Sequence, residues 1–588
     1  MGKKITSLLS IVVSLFLLAS CANQRNVEIT IMHTSDIHGA FFPYDFINNR
    51  QIDRSLAHAY SAIQQQRKLN KNVVLLENGD ILQGQPTAYY YNFIDTISTH
   101  LTARIINFMQ YDAATAGNHD IETGHSVYDK VYSEYDCPVI AANAVRTSDG
   151  KPYFKPYAII KRDGVKIAVL GLITPGISKW LPKQIWEGME FCDMVETAEY
   201  WINEIREKEK PHIIAGLFHS GHDFTYSSED ENTRKNENAS LLVAQKVAGF
   251  DVVFIGHDHD KLCKKICNIA GDSVLIIDPQ NEGKLISKTL VNIRLKGDKV
   301  LKKTITGELI ETKNFVPDSS FLAAFKSDFD AVQAFVSRPI GKFTQTVSTR
   351  KSFFGASEFM DLIHRIQLSI TKADISFAAP LSFDAQISEG DIFVSDMFKL
   401  YRYENLLYSM QLTGKEIKDF LEYSYSLWTN EMKTANDNIL LLRKTESNRN
   451  GRLQNPYYNF DSASGIIYTV DVTKPAGEKI NIKSLYNGNA FDMNKTYNVA
   501  INSYRGNGGG GHLTDGAKIP KNELDSRITF STSRDLRYFL MQWIEQQKLI
   551  EPTLLRDNCQ WKFIPEIIVK PAINRDYKLL FNEENKND

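Results

Sequence analysis

Five short apolar runs between Val27 and Ile255 each lead into aspartate, asparagine or histidine beside glycine, and this recurrence limits the fold more than any other feature. Val27–Met32 precedes Asp36-Ile37-His38-Gly39, and Val73–Leu76 precedes Asn78-Gly79-Asp80. Ala113–Ala116 precedes Gly117-Asn118-His119-Asp120. Ile213–Phe218 precedes His219-Ser220-Gly221-His222, and Val252–Ile255 precedes Gly256-His257-Asp258-His259. Apolar runs of this length predict buried strands. Ser55–Leu69 and Val195–Lys208, between the runs, have helical spacing. Strands alternating with helices predict an α/β architecture, in which sites form at the carboxyl ends of strands.

The donor types define the chemistry. Eleven of the 13 histidines lie between His33 and His259. Carboxylate, amide and imidazole donors suit Zn²⁺, Mn²⁺, Co²⁺ or Fe²⁺ better than calcium. No cysteine stands among them, which argues against a closed structural zinc site. One aspartate can bridge two ions about 3.5–4 Å apart, a spacing that clamps a phosphoryl group and activates water.

The order Asp-x-His, Gly-Asp, Gly-Asn-His-Asp, His-x-Gly, Gly-His-x-His resembles the calcineurin-like metallophosphoesterases over roughly residues 27–300. That resemblance implies a β-sandwich flanked by helices and two divalent ions. Asp36, His38 and His259 would hold one ion, Asp80 would bridge, and Asn118, His219 and His257 would complete the second. His119 would be the catalytic histidine rather than a ligand. Related nucleotidases orient it with the acid of His-Glu-Phe-Asp; here Glu122 takes that place, and Asp120 in the same run joins the catalytic set. His33, His125 and His222 are expected to be supporting or surface residues.

Composition changes after Asn314. Phe321, Leu322, Phe325, Phe329, Val332 and Phe335 have near-helical spacing, which predicts a linker helix within 315–340. Roughly residues 338–565 resemble the α+β C-terminal domain of the 5′-nucleotidase family, through Ala373-Asp374-Ile375-Ser376, Leu412-Thr413-Gly414-Lys415-Glu416 and the glycines near 508. The expected boundaries are 21–314 for the first domain, 341–570 for the second, and a tail over 571–588. Members acting on 5′-nucleotides carry Asn-Gly-Gly-x-Arg after the Ala-Asp-Ile segment, where this chain has Phe377-Ala378-Ala379-Pro380. Tyr401-Arg402-Tyr403-Glu404-Asn405, Tyr458-Asn459-Phe460-Asp461 and Tyr504-Arg505-Gly506-Asn507-Gly508-Gly509-Gly510 are similar to the bacterial 2′,3′-cyclic-nucleotide 2′-phosphodiesterase/3′-nucleotidase branch.

By that resemblance Tyr403 and Tyr504 would sandwich the base and Asn405 would reach its edge. Gly509 would let backbone approach the ligand, and Arg505 is a candidate phosphate or ribose contact. The implied reaction is hydrolysis of 2′,3′-cyclic nucleotides and 3′-nucleotides to nucleoside and phosphate. Its rivals are a 5′-nucleotidase or nucleotide-sugar hydrolase of the same fold, and a non-catalytic nucleotide-binding surface protein.

Lys3 and Lys4 precede the apolar stretch Ile5–Ser20, which ends Leu18-Ala19-Ser20-Cys21. The run is short for spanning a bilayer and suits a signal-peptide core. Its end resembles a bacterial lipobox, implying removal of residues 1–20, lipidation of Cys21, and a place in the periplasm or outer membrane of a Gram-negative cell. The 68 Lys+Arg against 70 Asp+Glu leave no basic stripe for nucleic-acid polymers. A monomer acting on small nucleotides is expected. Of the five cysteines after Cys21, Cys263 and Cys267 are close enough in sequence to suggest a local disulfide.

Overall fold

Twelve strands in two six-stranded sheets build the first unit of the chain. The computed structural model describes residues 24–226, 229–447, 451–552 and 560–581, so the expected signal peptide and Cys21 lie outside the described residues. The first sheet comprises β1 (Gln24–Thr34), β2 (Val73–Glu77), β3 (Ala113–Thr115), β4 (Val139–Ile140), β11 (Leu285–Lys296) and β12 (Lys299–Glu311). Its order is β12-β11-β1-β2-β3-β4, parallel from β1 to β4, with β11 and β12 antiparallel at one edge. The second holds β5 (Tyr157–Arg162), β6 (Val165–Ile173), β7 (Ile213–His219), β8 (Val252–Ile255), β9 (Lys261–Cys267) and β10 (Ser273–Pro279). Its order is β9-β10-β8-β7-β6-β5, and β6, β7, β8 and β10 are mutually parallel.

All five runs are therefore strands. Full burial explains why those of β2, β7 and β8 read as continuous, whereas in β1 the polar Glu28 and Thr30 alternate with Val27, Ile29 and Ile31. Ile29, Ile31, Val74, Leu217, Phe254 and Val291 meet in one core cluster between the sheets. Residues of the opposite face, such as Leu170 and Val253, pack under the helix Met194–Lys208 through Ala198, Ile202 and Ile205. A strand buried on both faces has no polar alternation to show. Each parallel strand must also return through a crossover, and the helix Leu56–Leu69 is one, its start capped by Ser55 Oγ accepting the His58 amide. Such crossovers place all the loops after the parallel strands at one end of the sandwich.

The second unit contains a five-stranded mixed sheet ordered Ser462–Ser464, Ile375–Ala378, Thr496–Asn502, Leu407–Thr413, Ile528–Ser531. The helix Gly414–Trp428 opens on a reciprocal cap. Thr413 Oγ1 accepts the Glu416 amide, and the Glu416 carboxylate accepts the Thr413 amide. Tyr425, Trp428 and Phe460 stack face to face in its core, with centroids 4.8 and 5.3 Å apart.

Three expectations change here. The linker is two helices, Ser319–Ala324 and Lys326–Val336, and the division between the compact units falls at Asp328 and Phe329. The second unit also takes in the short segments 46–49 and 178–185. The expected tail is mostly helix Glu566–Phe581, because Val569, Ala572 and Phe581 bury apolar surface and Asp576 accepts the Ile439 and Leu440 amides. Finally, Cys263 and Cys267 lie four residues apart on extended β9, both as free thiols. At about 3.3 Å rise per residue their Cα atoms are ~13 Å apart, beyond the ~7 Å limit for a disulfide.

Candidate active site

The loops after β1, β2, β3, β7 and β8 bring two donor clusters together. Asp36, His38 and His259 form one, and Asp80, His219 and His257 the other; within each, the nearest donor atoms lie within 4.8 Å of one another. His38 Nε2 is 3.0 Å from His259 Nε2, which is 3.3 Å from Asp36 Oδ1. Asn118 joins the second cluster: its Oδ1 is 2.7 Å from His257 Nδ1 and 3.2 Å from His219 Nε2. All seven expected ligands thus converge on the two clusters.

The donors fit cations rather than one another. Backbone carbonyls of Gln83 and Asn78 lie 2.9 and 2.6 Å from His38 Nδ1 and His219 Nδ1. Each Nδ1 therefore carries the proton, and each Nε2 lone pair points into the cluster, the tautomer a metal needs. Asp80 Oδ2 is buried, 3.2 Å from His219 Nε2. Burial alone would raise the Asp36 pKa, but His259 and His219 outweigh it and hold it at about 2. His219 is driven up to about 10 by the Asp80 carboxylate, against its own burial. A divalent cation would supply the positive charge that this proton otherwise brings.

Backbone geometry marks the same residues. Asp36, His38, Asp80, His257 and His259 all have positive φ, between 50° and 81°. Non-glycine residues in the left-handed region cost free energy and persist where surrounding structure enforces them. Gly117 shows how tight that surrounding is: a Cβ there would lie 2.1 Å from Asp80 Oδ1.

His119 stands beside the donors without joining either cluster. Its amide donates to Asp80 Oδ1 at 2.8 Å, its ring centroid is 5.6 Å from that of His38, and its Nδ1 is 2.6 Å from Glu122 Oε2. Glutamate spans the same three-residue step as the aspartate it replaces. Burial would lower the His119 pKa, but Asp80 and Glu122 raise it to about 9. Asp120, grouped with the catalytic residues on sequence, is placed differently. It is fully buried, and its carboxylate accepts the amides of Asp80, Ile81, Leu82 and Gly117. It shapes the loop that carries Asp80 and does not face the cluster opening.

Several supporting residues give no signal in sequence. Glu237 Oε1 lies 3.4 Å from His257 Nε2, and Asn281 Nδ2 is 3.2 Å from His259 Nδ1. Neither belongs to a motif. His222, expected to be a supporting residue, pairs with Asp258 at 2.8 Å, while His33 bonds Ser287 and His125 bonds Asp129. The Asp258 carboxylate also accepts the His222 amide, which ties the loop after β7 to the loop after β8.

In the second unit, Tyr403 and Tyr504 are half-buried. Tyr403 meets the ring of Tyr458 edge-on at 6.4 Å. A Cβ at Gly509 would lie 2.6 Å from the Tyr504 ring, so only glycine fits there. Asn405 is buried and its carbonyl accepts the Leu536 amide. Arg505 departs from expectation. At 1% exposure it donates to Asp461 at 2.7 Å, to the carbonyls of Tyr458 and Gly509, and to Asn459. With those partners it braces the glycine loop and is not an open phosphate contact. Asp461, 44 residues away in sequence, has no detectable link to it before folding.

Comparison with known proteins gives the same two parts. Residues 29–261 match the calcineurin-like phosphoesterase family, and residues 339–515 match the 5′-nucleotidase C-terminal domain. The chain joins a calcineurin-like phosphoesterase domain to a 5′-nucleotidase C-terminal domain. It is 28% identical to the trifunctional nucleotide phosphoesterase YfkN of Bacillus subtilis over 92% of this chain but only 39% of that one. A Salmonella typhimurium 2′,3′-cyclic-nucleotide 2′-phosphodiesterase/3′-nucleotidase is 27% identical, over 93% of this chain and 91% of that one. The fold matches a Thermus thermophilus 5′-nucleotidase precursor with TM-score 0.62, at 20% identity over 92% of this chain and all of that one. A Staphylococcus aureus structure assigned as a 5′-nucleotidase gives 0.76, at 19% identity over 91% of this chain and all of that one. Hydrolysis with divalent metal ions is the chemistry of this phosphoesterase family, and the clustered donors are its ligand types.

Proposed function

We propose that the protein hydrolyses 2′,3′-cyclic nucleotides to 3′-nucleotides, and these to nucleoside and phosphate, at a site holding two divalent cations. The observation that carries this reading is the pair of donor clusters beside a histidine outside both. Two bound cations would supply Lewis-acid charge for the phosphoryl oxygens and an acidified water as nucleophile. Asp80 would be the bridging carboxylate, its Oδ1 accepting the His119 amide and its Oδ2 facing His219. His119, charged and held through Nδ1 by Glu122, presents Nε2 to protonate the departing ribose oxygen. Attack at phosphorus breaks the O2′–P bond of a cyclic nucleotide first, and a second hydrolysis breaks the O3′–P bond.

Substrate choice belongs to the second unit. Tyr403 and Tyr504 are the base platforms, and stacking there accepts any base. The absence of Asn-Gly-Gly-x-Arg after Ile375 and the relatives' names favour 3′ and cyclic substrates over 5′-nucleotides. The metal identity is one of Zn²⁺, Mn²⁺, Co²⁺ or Fe²⁺ on the donor set. Export, lipidation at Cys21 and residence at the outer membrane complete the reading, on the strength of the Leu18–Cys21 motif. A panel of 2′,3′-cyclic AMP, 3′-AMP, 5′-AMP and a nucleotide sugar with Mn²⁺ tests the substrate. Faster release of phosphate from 5′-AMP than from 3′-AMP would transfer the protein to the 5′-nucleotidase reading.

A further inference from the structure

Opposite the metal donors, the sandwich ends in cations and exposed apolar side chains. β1 starts at Gln24, three residues after Cys21, with Gln24 paired to Lys296 of β11 and Asn26 to Arg294. The β11–β12 hairpin then sets Arg294 against Lys302 and Lys296 against Lys299. The end of the helix Leu56–Leu69 reaches the same place, because Asn70 and Asn72 both donate to the carbonyl of Glu28 in β1. It adds Lys68 and Lys71.

These six cations are exposed and make no ion pair among the described residues; the exposed acids at this end include Glu28, Asp298 and, in the turn with Ile269, Asp272. Arg25 and Asp163 add one charge of each sign, with Arg25 donating to the Asp163 carbonyl. Like charges directly across an antiparallel pair repel, so Lys296 beside Lys299 and Arg294 beside Lys302 have no folding rationale. Three large apolar residues share this end. Leu69 at the helix terminus is 75% exposed, Leu301 in the hairpin 43%, and Ile269, in the turn that enters β10, 76%.

We infer that this end of the first unit is a membrane-docking face for an anionic phospholipid surface. The inference rests on the reading of Cys21 as a lipid anchor, which leaves the chain three residues before this patch. A lipid on Cys21 tethers the chain without orienting it, and a basic cluster supplies the attraction that would seat this face on the surface. Leu69, Leu301 and Ile269 would enter the headgroup layer while the lysines meet lipid phosphates. β1 itself runs from this face to Thr34 beside the metal donors. Its 11 residues, at about 3.3 Å each, set the donors ~33 Å from the membrane and open to soluble substrate.

The test uses the full chain isolated from a host that processes lipoproteins. It is reconstituted into phosphatidylcholine vesicles with and without phosphatidylglycerol, then treated with an amine-acylating reagent and read by peptide mass spectrometry. Lys68, Lys71, Lys296, Lys299 and Lys302 should react at least about fivefold more slowly on anionic vesicles, the factor expected for each cation at such a surface. Lys261, exposed at the metal end, should not change. About 1 M salt should restore reactivity. Equal rates on both vesicles would overturn the docking face, whatever the N-terminus carries. The N-terminal peptide is read in the same spectra. Protection without an acyl group would retire the anchor and retain the face, while an acyl group without protection would do the reverse.

Discussion

Around the donor clusters of the first unit, left-handed backbone falls on expected ligands themselves, Asp36, His38, Asp80, His257 and His259. In the loop after Arg505 of the second unit it falls on glycines, Gly508, Gly510 and Gly511, with buried Arg505 bonded to the Gly509 carbonyl. The difference arises from what each loop must present. A metal site needs specific donor atoms at fixed positions, so the strain of positive φ has to be borne by aspartate and histidine and offset by enforced packing. A stacking site needs an open aromatic face, and glycine provides close approach without strain. Chemistry should therefore fail sharply when the first unit is altered, and affinity or stability when the second is.

The largest separation should come from His119→Ala. Turnover should fall about 10²–10⁴-fold, as for loss of a positioned acid, with metal content unchanged; loss of metal would make His119 a ligand. Arg505→Ala strands Asp461, buried in a place where burial already raises its pKa. Urea unfolding should show about 3–5 kcal/mol of lost stability, the cost of leaving one partner of a buried pair. A loss under about 1 kcal/mol would mean the loop does not depend on that guanidinium. Tyr504→Ala should raise KM about 5–150-fold, equivalent to 1–3 kcal/mol of stacking, with a smaller change in kcat. A fall in kcat at constant KM would remove Tyr504 from the base site.

The smallest effect is on pH. His119 is active as an acid while protonated, so the rate should fall as pH rises through its raised pKa, about 9 before any cation lowers it. By the same shift, the proton's contribution to stability of the metal-free protein is complete below about 6.5 and is lost as pH passes 9. Glu122→Gln removes a raising charge, so the alkaline limb of kcat should move to lower pH. An unmoved limb would deny the dyad its role.

Legibility in sequence differs in the same way between the units. β2, β7 and β8 are readable because burial on both faces makes strands uniformly apolar, β1 because Val27, Ile29 and Ile31 alternate with Glu28 and Thr30, and every expected ligand lies within five residues of a strand end. Asp120 is easily misplaced, because proximity to His119 does not reveal that its carboxylate turns toward backbone amides of the preceding loop. Arg505 looks available because its partners, Tyr458, Asn459 and Asp461, come from a segment more than 40 residues away. The terminal helix reads as a tail because its few buried positions are spaced by charged residues and interrupted by Pro571.

Metal content decides whether Asp80 bridges two cations. Purified protein, His119→Ala and Asp80→Asn, each dialysed against Mn²⁺ or Zn²⁺ and counted by inductively coupled plasma mass spectrometry, should separate ligand from acid. About two ions per chain are expected in the first two proteins, and fewer in Asp80→Asn. One ion or less per chain in the unmodified protein, or full occupancy in Asp80→Asn, would contradict that bridge.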